Sequence, residues 1–163
     1  LAPRRPADDD LAVPSRGSVR AEIEVAAPPD AVWEALTQRA GRRRWMHDAE
    51  VRSTWAAGAP IEIDVDLEGR RWHDRGTVEA SEAPRSLRYS LWSEVSRRPD
   101  RPEHRSRVTF TLVAAGLGTR LIVDHPDLVG AAGPHADFFW RVALSVLRDE
   151  LEGRQRPATI EIL

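Results

Sequence analysis

The 163-residue sequence contains no cysteine and no lysine. Without cysteine the chain has no thiolate nucleophile, no disulfide and no thiolate metal ligand. Without lysine it has no side-chain amine for Schiff-base catalysis. All 24 basic side chains are therefore arginine, and their abundance beside alanine and proline is typical of a GC-rich bacterial genome.

Long hydrophobic runs and a large net charge are also missing. No apolar stretch approaches the roughly 20 residues of a membrane-spanning helix, and the first 17 residues lack the apolar core of a signal peptide. These absences predict a cytoplasmic protein. The net charge of -2 at pH 7 predicts neither nucleic-acid binding nor attachment to an anionic membrane. Insertion into a membrane is not expected either, since no stretch is long and apolar enough.

The length favours one domain, because a chain of this size buries roughly 70% of its unfolded surface in a single core. Residues 1–17 combine three prolines with an acidic run, a composition typical of a disordered N-terminal tail. We therefore expect one folded domain at residues 18–153 and a C-terminal tail at residues 154–163.

Alternating apolar and polar residues predict an antiparallel sheet. The clearest two-residue period runs from Ile61 to Leu67, and similar periods recur near residues 19–25, 87–91, 108–112 and 121–123. Gly76 interrupts another strand and indicates a bulge or a close backbone approach. We expect residues 96–106 to be an exposed connection and residues 127–133 to be a mobile loop.

Two helical stretches flank this sheet. A short helix is predicted to begin at the Pro28-Pro29 pair, since proline suits the first turn of a helix. Residues 42–46 are predicted to form a second short helix or an irregular segment, and we expect the arginines at residues 42–44 to be solvated. A long amphipathic helix from about Pro134 to Glu152 spans about 28 Å. A helix of that length lying across a curved sheet encloses a cavity.

The order of these elements resembles the helix-grip superfamily (START-like, or SRPBCC), which includes START lipid-transfer domains and polyketide cyclases. Residues 26–37 resemble the opening motif of its bacterial branch named after the activator of the Hsp-ninety ATPase. Residues 76–89 resemble the central hairpin of that branch, and residues 118–125 resemble its last hairpin. The resemblance implies an α+β fold with a curved antiparallel sheet of six to seven strands wrapped around a long C-terminal helix, and two short helices after the first strand.

Motifs for a metal or a cofactor are not evident, and we expect neither. Three of the five histidines adjoin an aspartate, at residues 47–48, 73–74 and 124–125, but neighbouring strand residues point to opposite faces and form no local dyad. His104 and His135 are expected in connections. The acidic alternation over residues 62–68 predicts a solvated sheet face rather than a calcium site, since these side chains spread along the strand.

The inward apolar face of the strands and the six tryptophans together predict a cavity for a small hydrophobic or amphipathic molecule, such as a lipid. The resemblance places Trp45 on one wall of that cavity, whereas Trp72 faces it only if Gly76 leaves the register unchanged. The predicted ligand-binding residues are Trp45, Ile63, Val65, Val78, Tyr89, Phe110, Phe139, Val142, Ala143 and Val146.

Two alternative functions stay open at this point. A polyketide cyclase or dehydratase-like enzyme would use Tyr89, His125 and Asp74 as its acid or base groups. A protein-interaction or co-chaperone-like module is the other alternative, and a homodimer is compatible with each of these functions.

Overall fold

The computed structural model describes residues 16–38, 41–129 and 132–153, so both predicted tails lie almost wholly outside the described residues. Eight strands and two α-helices form an α+β fold. The strands are β1 (Arg16–Val25), β2 (Arg42–Arg43), β3 (Ala49–Arg52), β4 (Pro60–Leu67), β5 (Arg70–Glu82), β6 (Ser86–Ser93), β7 (Ser106–Ala115) and β8 (Gly118–Val129). The helices are α1 (Pro29–Leu36) and α2 (Ala132–Leu151), with 3₁₀ turns at Arg44–Met46, Glu94–Ser96 and Pro102–His104.

All eight strands belong to one antiparallel sheet in the order β1-β8-β7-β6-β5-β4-β3-β2. The predicted sheet wrapped on a C-terminal helix is confirmed. The sequence predicted six strands from its alternating residues. The two additional strands are the short β2 and β3, which lie at one edge of the sheet. β1 begins two residues before the expected domain start at Ser18.

The second short helix or irregular segment is the 3₁₀ turn Arg44–Met46. The expected mobile loop was wrong, because β8 continues as far as Val129 and α2 begins at Ala132. Proline is tolerated in β8 because the β1–β8 pairing shifts register between Gly17/Leu128 and Val19/His125. Pro126 therefore lies in a bulge, where no ladder hydrogen bond is required of it.

Gly76 is a point of close backbone approach, as the sequence indicated. A Cβ atom built on Gly76 would lie 1.7 Å from the carbonyl oxygen of Ser90 on β6. The register stays regular through Gly76 and shifts only between Val78 and Ala80. As a result Trp72, Asp74 and Val78 share the inner face of β5.

The long helix α2 packs on β1, on β8 and on the 3₁₀ turn Arg44–Met46. Its C-terminal half is tightly packed, with Ala143 and Leu147 at most 1% exposed. Its N-terminal half covers the end of the sheet where β4, β5 and β6 have fewer buried side chains. Within residues 16–38, 41–129 and 132–153 there is no helix long and apolar enough to cross a membrane.

Candidate functional site

A cavity lies between the N-terminal half of α2 and the inner face of the sheet. The cavity volume is about 80 Å³, and the envelope that also includes the open mouth is about 890 Å³. That space exceeds the volume needed for one water molecule. The residues that line it are Met46, His47, Ala49, Ile63, Val65, Leu67, Trp72, Asp74, Tyr89, Leu91, Ser93, Val95, Ser96, His104, Ser106, His125, Leu128, His135, Ala136, Phe139 and Trp140.

Four of the ten predicted ligand-binding residues line this cavity, namely Ile63, Val65, Tyr89 and Phe139. The other six do not. Trp45, Val78, Phe110 and Ala143 are buried in the packed core, and Val142 and Val146 are partly buried on α2. The alternation of strand residues predicted which side chains face inward, but not where along the strand the cavity lies. Away from the cavity, the inner face of the sheet is filled by packed side chains.

Tyr89, His125 and Asp74, the three candidate acid or base groups, all line the cavity. They come from three different strands, so only the register of the folded sheet brings them together. Their hydrogen bonds and burial decide what each group can do.

His125 lies at the centre of a hydrogen-bond chain that crosses from the helix to the sheet. The Trp140 indole N–H donates to His125 Nδ1 at 2.9 Å. His125 Nε2 lies 2.7 Å from Ser106 Oγ, and that hydroxyl donates to the carbonyl oxygen of Leu91 at 3.3 Å. The chain links α2, β8, β7 and β6.

The direction of these bonds fixes the protonation of His125. An indole N–H only donates, so Nδ1 must be the unprotonated nitrogen and Nε2 carries the proton. Nε2 therefore donates to Ser106 instead of taking its proton, and Ser106 is not an activated nucleophile. Burial lowers the pKa of His125 to about 4, so the ring is neutral at pH 7.

Asp74 supplies the one carboxyl group among the lining residues of the described chain. Its Oδ1 accepts a hydrogen bond from the Glu94 backbone N–H at 3.1 Å. Burial raises the pKa of Asp74 to about 6, although its interactions with the Ser93 side chain and the Glu94 N–H act in the opposite direction. At pH 7 the cavity therefore contains a partly desolvated carboxylate.

Tyr89 is 2% exposed, and its ring lies between Trp55 and Phe110 at centroid distances of 5.9 and 6.2 Å. Burial raises the pKa of Tyr89 above its usual value. The phenol therefore stays protonated and can act only as a neutral hydrogen-bonding group.

Four of the five histidines line the cavity, and of these the sequence predicted only His125. His47 and His135 flank the Phe139 ring, at centroid distances of 5.1 and 6.4 Å. His135 lies in the first turn of α2 and not in a connection, since the helix begins at Ala132. Burial lowers the pKa of both histidines, and the neighbouring His47 lowers that of His135 further.

An outer depression adjoins this end of the cavity. It shares Trp72, His47 and Phe139 with the cavity, and it adds Arg70 and the exposed side chain of Phe138. The Arg70 guanidinium lies 3.8 Å from the centre of the Trp72 ring and 3.7 Å from Glu94. Its charge is therefore compensated outside the cavity.

The tryptophans divide between the cavity and the core. Trp72 and Trp140 line the cavity, whereas Trp45 and Trp55 are buried behind its wall. Trp140 was missed by the sequence analysis, although the helical spacing of residues 135, 136, 139 and 140 places it on the same face of α2 as Phe139.

Arg43 is buried, contrary to the solvated arginine run expected at residues 42–44. Its guanidinium donates to the carbonyl oxygens of Leu36 and Gln38 at 2.9 and 2.6 Å. Leu36 ends α1 and Gln38 follows it, so no intrahelical donor is available to these carbonyls. Burial lowers the pKa of Arg43 to about 10, and its role is to close the end of α1.

The acidic alternation on β4 lies on the outer face of the sheet, as expected. Asp64 pairs with His73 at 2.8 Å and with Arg52 at 3.1 Å. In the described part of the chain, no group of three or more histidine, aspartate or glutamate side chains is arranged to hold a metal ion.

The comparisons with known proteins agree with this fold. The family model described as "Activator of Hsp90 ATPase homolog 1-like protein" matches residues 26–152. The chain belongs to this family. A comparison of this family member with curated proteins gives no significant match.

Solved structures place the family member among START-like folds. A protein from Cytophaga hutchinsonii is 26% identical with a TM-score of 0.67, over 83% of this chain and 94% of that one. The Aha1 dimer from Colwellia psychrerythraea is 18% identical with a TM-score of 0.63, over 83% and 96%. DynU16, described as a putative protein in the dynemicin biosynthetic locus, is 24% identical with a TM-score of 0.65, over 84% and 48%. The last two show similarity of fold alone.

Proposed function

We propose that this protein binds a small hydrophobic or amphipathic molecule between α2 and the sheet. The observation that carries the proposal is the cavity itself, because its wall is mainly aliphatic and aromatic while its few polar groups converge from different elements. That composition is typical of sites for small organic ligands. The cytoplasmic location predicted from the sequence belongs to the same proposal.

A cavity-filling variant tests this function. Ala136 lines the cavity from α2 and is 6% exposed, so Ala136→Leu inserts a larger side chain where the ligand would lie. Ala114→Leu makes the same change on an exposed position of β7. Binding of naphthalene is measured by ligand-observed NMR. We expect the wild-type protein and Ala114→Leu to bind it with equal affinity, and Ala136→Leu to bind it at least about tenfold more weakly.

Both variants should keep the wild-type circular dichroism spectrum, so that a loss of binding is not a loss of fold. Equal binding of naphthalene to all three proteins, or no binding to the wild type, would contradict the proposed cavity function.

An enzyme of the cyclase or dehydratase type is the second candidate, and the convergence of Asp74 and Tyr89 on one cavity favours it. With a pKa of about 6, Asp74 could remove a proton next to a ketone at pH 7 while the Tyr89 hydroxyl donates to the ketone oxygen. DynU16 is described as part of a biosynthetic locus. The His125 ring is already committed to Trp140 and Ser106, so it takes no part in this proposal.

Hydrogen–deuterium exchange tests the enzyme directly. In D₂O, an enzyme of this type should exchange the methyl protons of 2-acetylnaphthalene faster than buffer alone, and Asp74→Asn should abolish the excess rate. Tyr89→Phe should lower the rate while leaving binding measurable. Exchange at the buffer rate in the wild type would leave ligand binding as the function.

A protein-interaction role and a homodimer remain proposals of lower priority. The family description refers to chaperone activation, and one structure of similar fold is described as a dimer. Pull-down with the purified host chaperone and sedimentation at micromolar concentration test these two ideas separately.

A further inference from the structure

We infer that the cavity selects ligands whose polar group donates a hydrogen bond and carries no negative charge, and that Asp74 imposes this selection. The inference rests on the proposed function, because it names the chemical class of the molecule that occupies the same cavity. Its basis is the distribution of charge around the cavity wall.

Among the described residues, the cavity lining includes one carboxyl group and no arginine, and the chain has no lysine. Arg70 lies at the opening, over the Trp72 ring, and pairs with Glu94. Arg43 is buried behind the wall, where backbone carbonyls accept its hydrogen bonds. An anionic ligand group would therefore meet Asp74 with no arginine among the described lining residues to offset the repulsion.

A positive charge is disfavoured on three of the four cavity histidines. The His125 Nδ1 accepts from Trp140, which excludes a proton on that nitrogen. Burial disfavours the charged forms of His47 and His135. His104 lies with Nδ1 2.8 Å from the Pro99 carbonyl oxygen, so that nitrogen donates away from the ligand space.

Asp74 itself has capacity for a further donor. A carboxylate accepts several hydrogen bonds, and in this cavity Asp74 accepts from the backbone N–H of Glu94 and from the Ser93 side chain. A ligand hydroxyl or amine would complete the hydrogen bonding of a desolvated carboxyl group. A ligand carboxylate would place two like charges in an apolar space, which is strongly unfavourable.

Two probes of similar size test this selection by isothermal titration calorimetry at pH 8. 1-Naphthalenemethanol carries a hydrogen-bond donor, and 1-naphthoate carries a carboxylate on the same ring system. We expect the wild-type protein to bind the alcohol at least about tenfold more tightly than the carboxylate. In Asp74→Asn, which removes the charge with little change of shape, we expect that ratio to fall to about threefold or less.

Asp66→Asn is the matched control, because Asp66 lies on the exposed outer side of β4 and its replacement changes the net charge equally. It should keep the wild-type ratio. Equal affinity of the wild type for both probes, or an unchanged ratio in Asp74→Asn, would overturn the inference while leaving cavity binding intact. Failure of both probes and of naphthalene to bind would instead overturn the proposed function.

Discussion

Asp74 and His125 line the same cavity. Burial disfavours the charged form of each side chain, and it therefore shifts their pKa values in opposite directions. The pKa of Asp74 rises to about 6 and that of His125 falls to about 4, because desolvation disfavours a carboxylate and an imidazolium alike. Near pH 5 both groups are therefore largely uncharged. Above pH 6 Asp74 carries the cavity's negative charge.

Asp74→Asn should stabilise the protein at pH 8. The folded-state pKa of about 6 lies above the ordinary value of 3.8, so the wild type is penalised above pH 6 and regains stability as the pH falls from about 6 to about 4. The rise corresponds to a ceiling of about 3 kcal/mol. Urea unfolding at pH 8 and pH 4 should show Asp74→Asn more stable at pH 8 only.

Asp66→Asn should change the unfolding free energy by less than about 0.5 kcal/mol at both pH values, as is usual for a surface substitution. An Asp74→Asn protein no more stable than the wild type at pH 8 would mean that the carboxylate is well solvated or paired. His125 is unchanged in all three proteins, so its own acid titration does not alter the comparison.

At the scale of elements, the helix and the sheet are joined by the Trp140–His125–Ser106 chain as well as by apolar packing. The hydrogen bond from Trp140 to His125 is buried, and removing one partner of a buried hydrogen bond leaves the other unsatisfied. The orientation of α2 over the cavity therefore depends on this contact.

Trp140→Phe should lower the free energy of unfolding by about 1–3 kcal/mol, because His125 Nδ1 loses its donor. Trp92→Phe is the matched control, since its indole donates to the Arg98 carbonyl at an exposed site. We expect a loss of less than about 1 kcal/mol there. Urea unfolding of both variants measures the difference, and equal losses would show that the buried bond adds nothing.

The close backbone contact between β5 and β6 at Gly76 predicts that a larger residue there destabilises the sheet. Gly76→Ala places a methyl group 1.7 Å from the Ser90 carbonyl oxygen, so the strands must separate. We expect a loss of more than about 3 kcal/mol, or no folded protein. Among the described residues, a Cβ atom on Gly133 comes no closer than 4.0 Å to any neighbour, so Gly133→Ala should leave the thermal midpoint unchanged or slightly raised.

The elements could be predicted from the sequence more fully than the site. Alternation found the longer strands and the inner face of β4, and helical periodicity found α2. Neither pattern shows whether an inward side chain lies at the cavity or in the packed core. Val78 and Phe110 were therefore predicted to line the cavity, although they fill the core. The link between Trp140 and His125 joins residues from α2 and β8, and it follows only from their packing in the folded chain.

At the scale of the whole molecule, one end between α2 and the sheet is packed and the other end is open. Ala143 and Leu147 close the packed end, while His135 and Phe139 lie beside the cavity. This asymmetry is the basis of the proposed function, because a ligand can enter the open end without disturbing the packed one.

The most direct test uses the six tryptophan indole N–H signals of the protein in a ¹⁵N–¹H NMR spectrum, assigned with single Trp→Phe variants. During titration with 1-naphthalenemethanol, the account predicts saturable shifts of the Trp72 and Trp140 signals, since these two residues line the cavity. The signals of Trp33 and Trp92 should not move. Shifts confined to Trp33 and Trp92, or no saturable shift of any indole, would contradict a ligand site between α2 and the sheet.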